Sequence, residues 1–375
     1  MPMMPMKSLA ITPLMIALLF LSGCAAGGGA SGGGTGGSGS TKTVIGYAFT
    51  TGPFQKTAVY SDGSVDGAGT SISNGGANLL GVSVSGKNFI VETGNVIDGI
   101  TVWEVSSSGG VSQVGSYLDS SGCSPGSLAA NKTGTELFVG CANGGIDTFT
   151  INSDGSLTAL QTPAYTAGAN YDINSMLVDQ SGTYLIVNAA VTTTDSEFLQ
   201  LTVGGGGALT LSSSQTGIVG WQSTLIANPS TTHGNYFYAG GSGDTNYYVI
   251  SESGGSITAT EQTAPAGDSW PVWIDSTGSW LTSLNSNTYT PTSTYIQQFS
   301  IGTSGTLTTN GSPVTINSTW EDSASPAQYD STYGYVIMRA ENAIIVGAPN
   351  SLNGSITIKG TGTGGYGGLA YVPVS

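Results

Sequence analysis

One short phrase constrains this chain more than any other: a glycine, then a small residue, then Leu, Val or Ile, with turn residues before it and a Ser/Thr-rich run after it. It occurs at Gly63, Gly109, Gly155, Gly207, Gly255, Gly305 and Gly354, with a mean spacing of about 48 residues. A second phrase keeps phase with it, in which a turn glycine leads an apolar run. Examples are Gly86 before Phe89 to Val91, Gly134 before Leu137 to Val139, Gly182 before Leu185 to Val187, Gly278 before Trp280 and Leu281, and Gly334 before Tyr335 to Ile337. Each unit therefore reads as strand, glycine turn, strand, variable loop, strand, glycine turn, strand.

We label these strands A to D. The A strands are predicted to begin near Asn78, Ser127, Ser175, Ser223, Pro271, Ala324 and Gly368. The last, Gly368 to Val374, has no partner after it, while Val44 to Phe49 is B-like with no A before it. The two ends then complete one another. The fold class is all-β: a seven-bladed β-propeller of four-stranded antiparallel blades, the first closed by the C-terminal strand, which removes both free sheet edges. A tandem β-sandwich is the alternative, disfavoured by the single phase across seven repeats. No long segment of helical period lies outside the N-terminus, and the composition, with 59 Gly and 8% charged residues, is that of an all-β chain.

The stretch Ser124 to Leu160, SPGSLAANKTGTELFVGCANGGIDTFTINSDGSLTAL, resembles the repeat of the lactonase, or 6-phosphogluconolactonase-like, seven-bladed β-propeller family, and the likeness extends weakly over Val44 to Ser375. It implies this fold and, less specifically, hydrolysis of a lactone, since related propellers carry other functions. Lactone-active members present Arg, His and Glu near the central pocket. This chain departs from that pattern, because its only His, His233, falls in an A-to-B turn on the opposite face.

Residues 1–23 have one charge, Lys7, and an apolar core from Leu9 to Phe20, as a signal peptide does. Leu21, Ser22, Gly23 and Cys24 then resemble the lipobox of bacterial lipoproteins. That resemblance implies cleavage before Cys24, acylation there and a membrane partner through the lipid anchor. Ala25 and Ala26 lack the Asp of inner-membrane retention, so an outer-membrane, cell-envelope address is expected. Residues 24–41 form the lipidated cysteine and a Gly/Ser-rich tether spanning roughly 20–25 Å, and 42–375 the propeller.

The formal charge is −15, so nucleic acid is excluded as a partner, and few basic residues disfavour a phosphorylated substrate. Candidate site residues follow from the repeat phase, because D-to-A and B-to-C loops share one face. Tyr171 and Asp172, Trp221, Asp268 and Trp270, Trp320, Glu321 and Asp322, and Tyr366 lie just before A strands. They are expected to form an aromatic and acidic channel mouth suited to stacking on sugar rings. Alternatively, the same rings act as wedges between blades. Arg339 and Glu341 are expected in a B-to-C loop on this face, where Arg339 would polarise a carbonyl with Glu341 or Glu321 as base. The simpler alternative is that Arg339 pairs with an acid.

No Ser/His/Asp arrangement, GxSxG motif or Cys/His metal spacing is present. Asn152, Asp154 and Gly155 are a hairpin turn rather than a calcium loop, so neither cofactor nor metal is expected. If Asn131 to Gly134 is a turn, cross-strand positions sum to about 265, which sets Cys123 nearly opposite Cys141. A disulfide is expected, with two buried free thiols as the alternative. Three functions remain open: a monomeric platform binding a glycan, small molecule or envelope protein; a lactone or ester hydrolase; and a structural surface protein.

Overall fold

The turn glycines set where strands end. All seven glycines of the first phrase have positive φ, as do Gly86, Gly134, Gly182, Gly278 and Gly334, a region that L side chains rarely occupy. Gly155 is also a close approach, since a Cβ there would sit 2.4 Å from the Phe89 ring. The computed structural model describes residues 42–374 except 95–98, 119–122, 169–170, 193, 231, 233, 243–245, 264–267, 287–293, 317–323, 341–342 and 366. The expected leader, the expected lipidation site Cys24 and the expected tether lie outside these described residues.

The described strands form antiparallel meanders. Meander I joins Leu369–Pro373, Val44–Thr50, Phe54–Tyr60 and Thr70–Ser73 in that spatial order. Meander II comprises Asn78–Val84, Lys87–Thr93, Gly99–Val105 and Val111–Leu118, and III comprises Pro125–Ala130, Glu136–Cys141, Gly145–Ile151 and Leu157–Thr166. Meander IV holds Asp172–Val178, Tyr184–Ala190, Asp195–Val203 and Leu209–Val219, while V holds Trp221–Ala227, Tyr236–Ser242, Asn246–Ser253 and Ser256–Thr263. Meander VI is Asp268–Ile274, Trp280–Ser286, Thr294–Ile301 and Leu307–Ile316, and VII is Gln328–Asp330, Tyr335–Ala340, Ala343–Pro349 and Ile356–Thr363. V and VI join through the single pair Gly241↔Ser269.

The expected A-strand positions fall in the first strand of their meanders from II to VI. In VII the ladder begins at Gln328, later than the expected Ala324. Pro326 has no N–H to donate, and the backbone there turns instead to its neighbour, Ala327 N–H donating to the Val272 carbonyl at 2.7 Å. Val44–Thr50 pairs with Phe54–Tyr60 on one side and with Leu369–Pro373 on the other, in register Gly46↔Pro373 to Thr50↔Leu369.

The apolar core lies between the meanders. Phe89 and Val91 of II pack with Leu137 and Val139 of III, and Phe138 of III with Leu185 and Val187 of IV. Ile186 meets Phe237 between IV and V, Tyr238 meets Leu281 between V and VI, and Trp270 meets Met338 between VI and VII. Ile337 of VII then packs with Ile45 and Leu369 of I, and Phe49 of I with Ile90 of II. Successive residues of one strand thus face opposite neighbours, the period of a strand buried on both faces. Each large side chain contributes about 1.5–3 kcal/mol by burial.

Hydrogen bonds join the innermost strands as well. Asn78 Nδ2 donates to the Gly126 carbonyl, Ser127 Oγ to Ile173 O at 2.8 Å, and Ser175 Oγ to Gln222 O at 3.3 Å. Trp270 Nε1 donates to Ser223 Oγ at 3.2 Å, Ser325 Oγ to Gly367 O at 3.0 Å, and Gly368 N–H to Ala77 O at 3.0 Å. With the Ala327 bond, this belt runs through consecutive inner strands and ends on the meander after the C-terminal strand.

Candidate binding channel and its mouth

A cavity of about 460 Å³ runs between the inner strands. Asn78, Ser127, Asn174 and Ser223 line it near the starts of their strands, and Ala130, Val178, Ile226 and Ile274 line it near the ends. The D-to-A end is therefore hydroxyl and amide, and the A-to-B turn end is largely apolar, with Trp273 among its lining residues. None of the described lining residues is Asp, Glu, Lys, Arg or His.

The hydroxyls of Ser127 and Ser175 and the Asn78 amide are engaged in the belt. Asn174 differs. It is the extra residue of a bulge between Ile173↔Ala189 and Ser175↔Asn188, a geometry that re-aims a side chain. Its Nδ2 is buried and has no hydrogen-bond partner among the described residues. An amide donor in that state favours an acceptor brought from outside.

Two of the expected mouth residues, Tyr171 and Asp172, are neighbours at the start of the strand that carries Asn174, outside the residues that line the cavity. Tyr171 lies just before its strand, with its ring against Gly168, where an added Cβ would fall 2.6 Å from Cδ2. Its hydroxyl donates to Glu197 Oε2 at 3.1 Å. Burial raises the Tyr171 phenol, and the bond to Glu197 adds to the shift; Tyr165 is raised by burial and then by the Glu197 charge. Asp172, the first residue of its strand, has its carboxyl raised by burial. Glu197 and Tyr165 are functional candidates that the sequence reading passes over. Their signal was available in the repeat phase, because Glu197 follows a B-to-C loop and Tyr165 precedes a D-to-A loop, the two loop types expected on one face.

The remaining candidates separate. Trp270 is fully buried in the core between VI and VII, so it is a wedge rather than part of an open mouth. Arg339 was expected in a loop but lies within Tyr335–Ala340, paired with Ile344 and 1% exposed. The strand continues past the apolar run because the mouth end of the interior is polar, and Glu92, likewise buried, accepts from Trp103 Nε1 at 2.8 Å in meander II. Trp221 and Asp268 begin their strands, with backbones alone described. Trp320, Glu321, Asp322, Glu341, Tyr366 and His233 lie outside the described residues.

Cys123 and Cys141 form a disulfide with Cα atoms 5.1 Å apart. Their sulfurs and the Asp147 carboxylate, all buried, lie within 4.8 Å of one another. The sulfur–sulfur bond leaves no thiolate there to ligate a metal.

No family model and no curated protein matches this sequence. Solved structures do match in shape. A protein of Lactobacillus plantarum superposes with a TM-score of 0.70 at 15% identity, covering 88% of this chain and 100% of its own. The periplasmic gluconolactonase of Pseudomonas aeruginosa gives 0.66 at 16%, covering 89% and 100%, and a functionally unknown protein of Desulfotomaculum acetoxidans gives 0.63 at 10%, covering 88% and 99%. At these identities the likeness concerns fold alone, and the all-β meanders of four antiparallel strands are those of a β-propeller.

Proposed function

We propose that this chain is a binding propeller whose channel takes a neutral, polyhydroxylated small molecule or glycan end entering past Tyr171 and Glu197. In this reading the meanders are seven blades of a ring closed by the C-terminal strand. The belt returning from Gly368 to Ala77 and the cores shared by VII, I and II support closure. Acylation at Cys24 would hold the ring, as a monomer, at the outer membrane of the cell envelope. The periplasmic address in one neighbour's name and the buried disulfide both favour a site outside the cytoplasm.

The observation that carries the binding reading is the uncharged channel with the Asn174 amide left to donate. Sugars match such a lining, since each hydroxyl both donates and accepts. Hydrolysis is the second reading, favoured by the gluconolactonase among the neighbours and by Glu197, a carboxylate already hydrogen-bonded at the mouth. A sugar lactone is itself neutral and hydroxylated, so one experiment addresses both. Glucono-δ-lactone and neutral monosaccharides are titrated calorimetrically while acid release from the lactone is followed. Binding weakened about tenfold by Asn174→Ala, about 1.4 kcal/mol, with no acid release above background, is the expected result. Turnover abolished by Glu197→Gln would replace binding with catalysis.

A further inference from the structure

The channel's other end carries an aromatic surface that the proposed function does not use. Trp273 lines the channel near the end of its strand, and Tyr329 comes from the neighbouring inner strand, just before the Ser331 to Gly334 turn. Their ring centroids are 6.0 Å apart with planes 34° from parallel. Tyr333, on that turn, stacks on Tyr335 at 6.4 Å and 19°. Tyr329 is 47% and Tyr333 44% exposed.

The turn that carries Tyr333, and the Tyr335 ring on which Tyr333 stacks, are held by hydrogen bonds. Asp330 Oδ1 accepts from the Thr332 and Tyr333 N–H groups at 2.9 and 3.1 Å, its Oδ2 accepts from the Tyr371 hydroxyl at 2.6 Å, and Tyr335 donates to the Ser61 carbonyl at 3.1 Å. The carboxylate inside the patch is therefore engaged on both oxygens. Among the described residues, the Trp273 indole N–H and the Tyr329 and Tyr333 hydroxyls have no hydrogen-bond partner.

We propose that this face is a second binding site, for a neutral oligosaccharide whose pyranose rings stack on Trp273, Tyr329 and Tyr333. Rigid aromatic faces suit flat C–H surfaces, and the polar edges suit the hydroxyls around them. A chain with net charge −15 repels polyanions, and the engaged Asp330 offers nothing to a basic peptide. Gln328, between the patch and the channel, lines the cavity and adds a neutral amide.

The test uses the full chain with cellohexaose and maltohexaose as probes, reading dissociation constants by calorimetry. Tyr329→Ala and Tyr333→Ala each weaken binding of at least one probe tenfold or more, while Tyr329→Phe changes it less than threefold. Both tyrosines are exposed, so melting temperatures of these variants remain near that of the parent. Tyr329 and Tyr333 do not line the channel, so glucono-δ-lactone binding stays unchanged in Tyr329→Ala and Tyr333→Ala, which keeps failure here distinct from failure of the channel reading. Binding of neither hexasaccharide, affinity indifferent to both alanine variants, or capture of a proline-rich peptide in their place would overturn the proposal.

Discussion

Asp172 shows how a single residue ties the site to stability. Burial raises its carboxyl above the ordinary value of 3.8. The native state therefore keeps the proton over a window upward from 3.8 in which the unfolded chain has lost it. Stability from this group is full below that value and is lost as pH rises through the native one. Asp172→Asn should then melt higher than the parent at pH 7 and converge with it near pH 3, and a series of thermal melts across that range checks it. At this scale the sequence was readable where backbone geometry dictates the residue, as at Gly134 and Gly155. The inner-strand ends Asn131, Asp179 and Asp275 were less readable. Each carboxyl or amide oxygen caps its turn: Asp179 Oδ1 accepts from Thr183 and Tyr184 N–H at 2.9 and 2.8 Å, and Asp275 Oδ1 from Ser279 and Trp280 at 2.8 and 2.9 Å. Asn131 Oδ1 does the same for Thr135 and Glu136. Polar residues in turns are too common for the repeat to single these out.

At the scale of the element, the hairpin of Pro125–Ala130 and Glu136–Cys141 explains why a disulfide was legible and its register only nearly so. The ladder pairs Leu128 with Val139 and Ala129 with Phe138, two residues from the expected register, and a bulge between Pro125 and Ser127 shifts it back to Pro125↔Cys141. The sulfurs still meet, because Cys123 lies just beyond the ladder. The bridge closes a sequence separation of 18 residues, for which loop-closure entropy predicts about 3 kcal/mol. Replacing both cysteines with alanine should lower unfolding free energy by about 2–4 kcal/mol in urea, and non-reducing mass spectrometry of the parent should find neither thiol alkylatable. Arg339 is the converse case. A charge ending an apolar run reads as the end of a strand, yet the strand runs on through Ala340, since strand ends beside the mouth bury polar groups.

Across the whole molecule, the repeat phase carried most of the fold. It placed inner-strand residues such as Ser127, Ser175 and Ser223, whose hydroxyls prove to join neighbouring meanders. It could not say which aromatics face the channel, because Trp270 and Trp273 pack against the same core and a bulge between Pro271 and Trp273 separates their positions along the strand, which the repeat does not reveal. The C-terminal strand brings Leu369, Ala370, Tyr371 and Val372 into the two cores flanking meander I. At about 1.5–3 kcal/mol for each large apolar side chain, their loss rivals the entire stability of an ordinary domain. A chain ending at Gly368 should therefore lose its single cooperative calorimetric transition, and retention of that transition would show the strand to be dispensable. The position of Val44–Thr50 has a mechanical consequence. It is flanked by ladders on both sides rather than lying at an edge, so a pull at Lys42 must break two ladders at once. The fold meets load from its N-terminal side with an interior strand, where most sheets would offer one that peels.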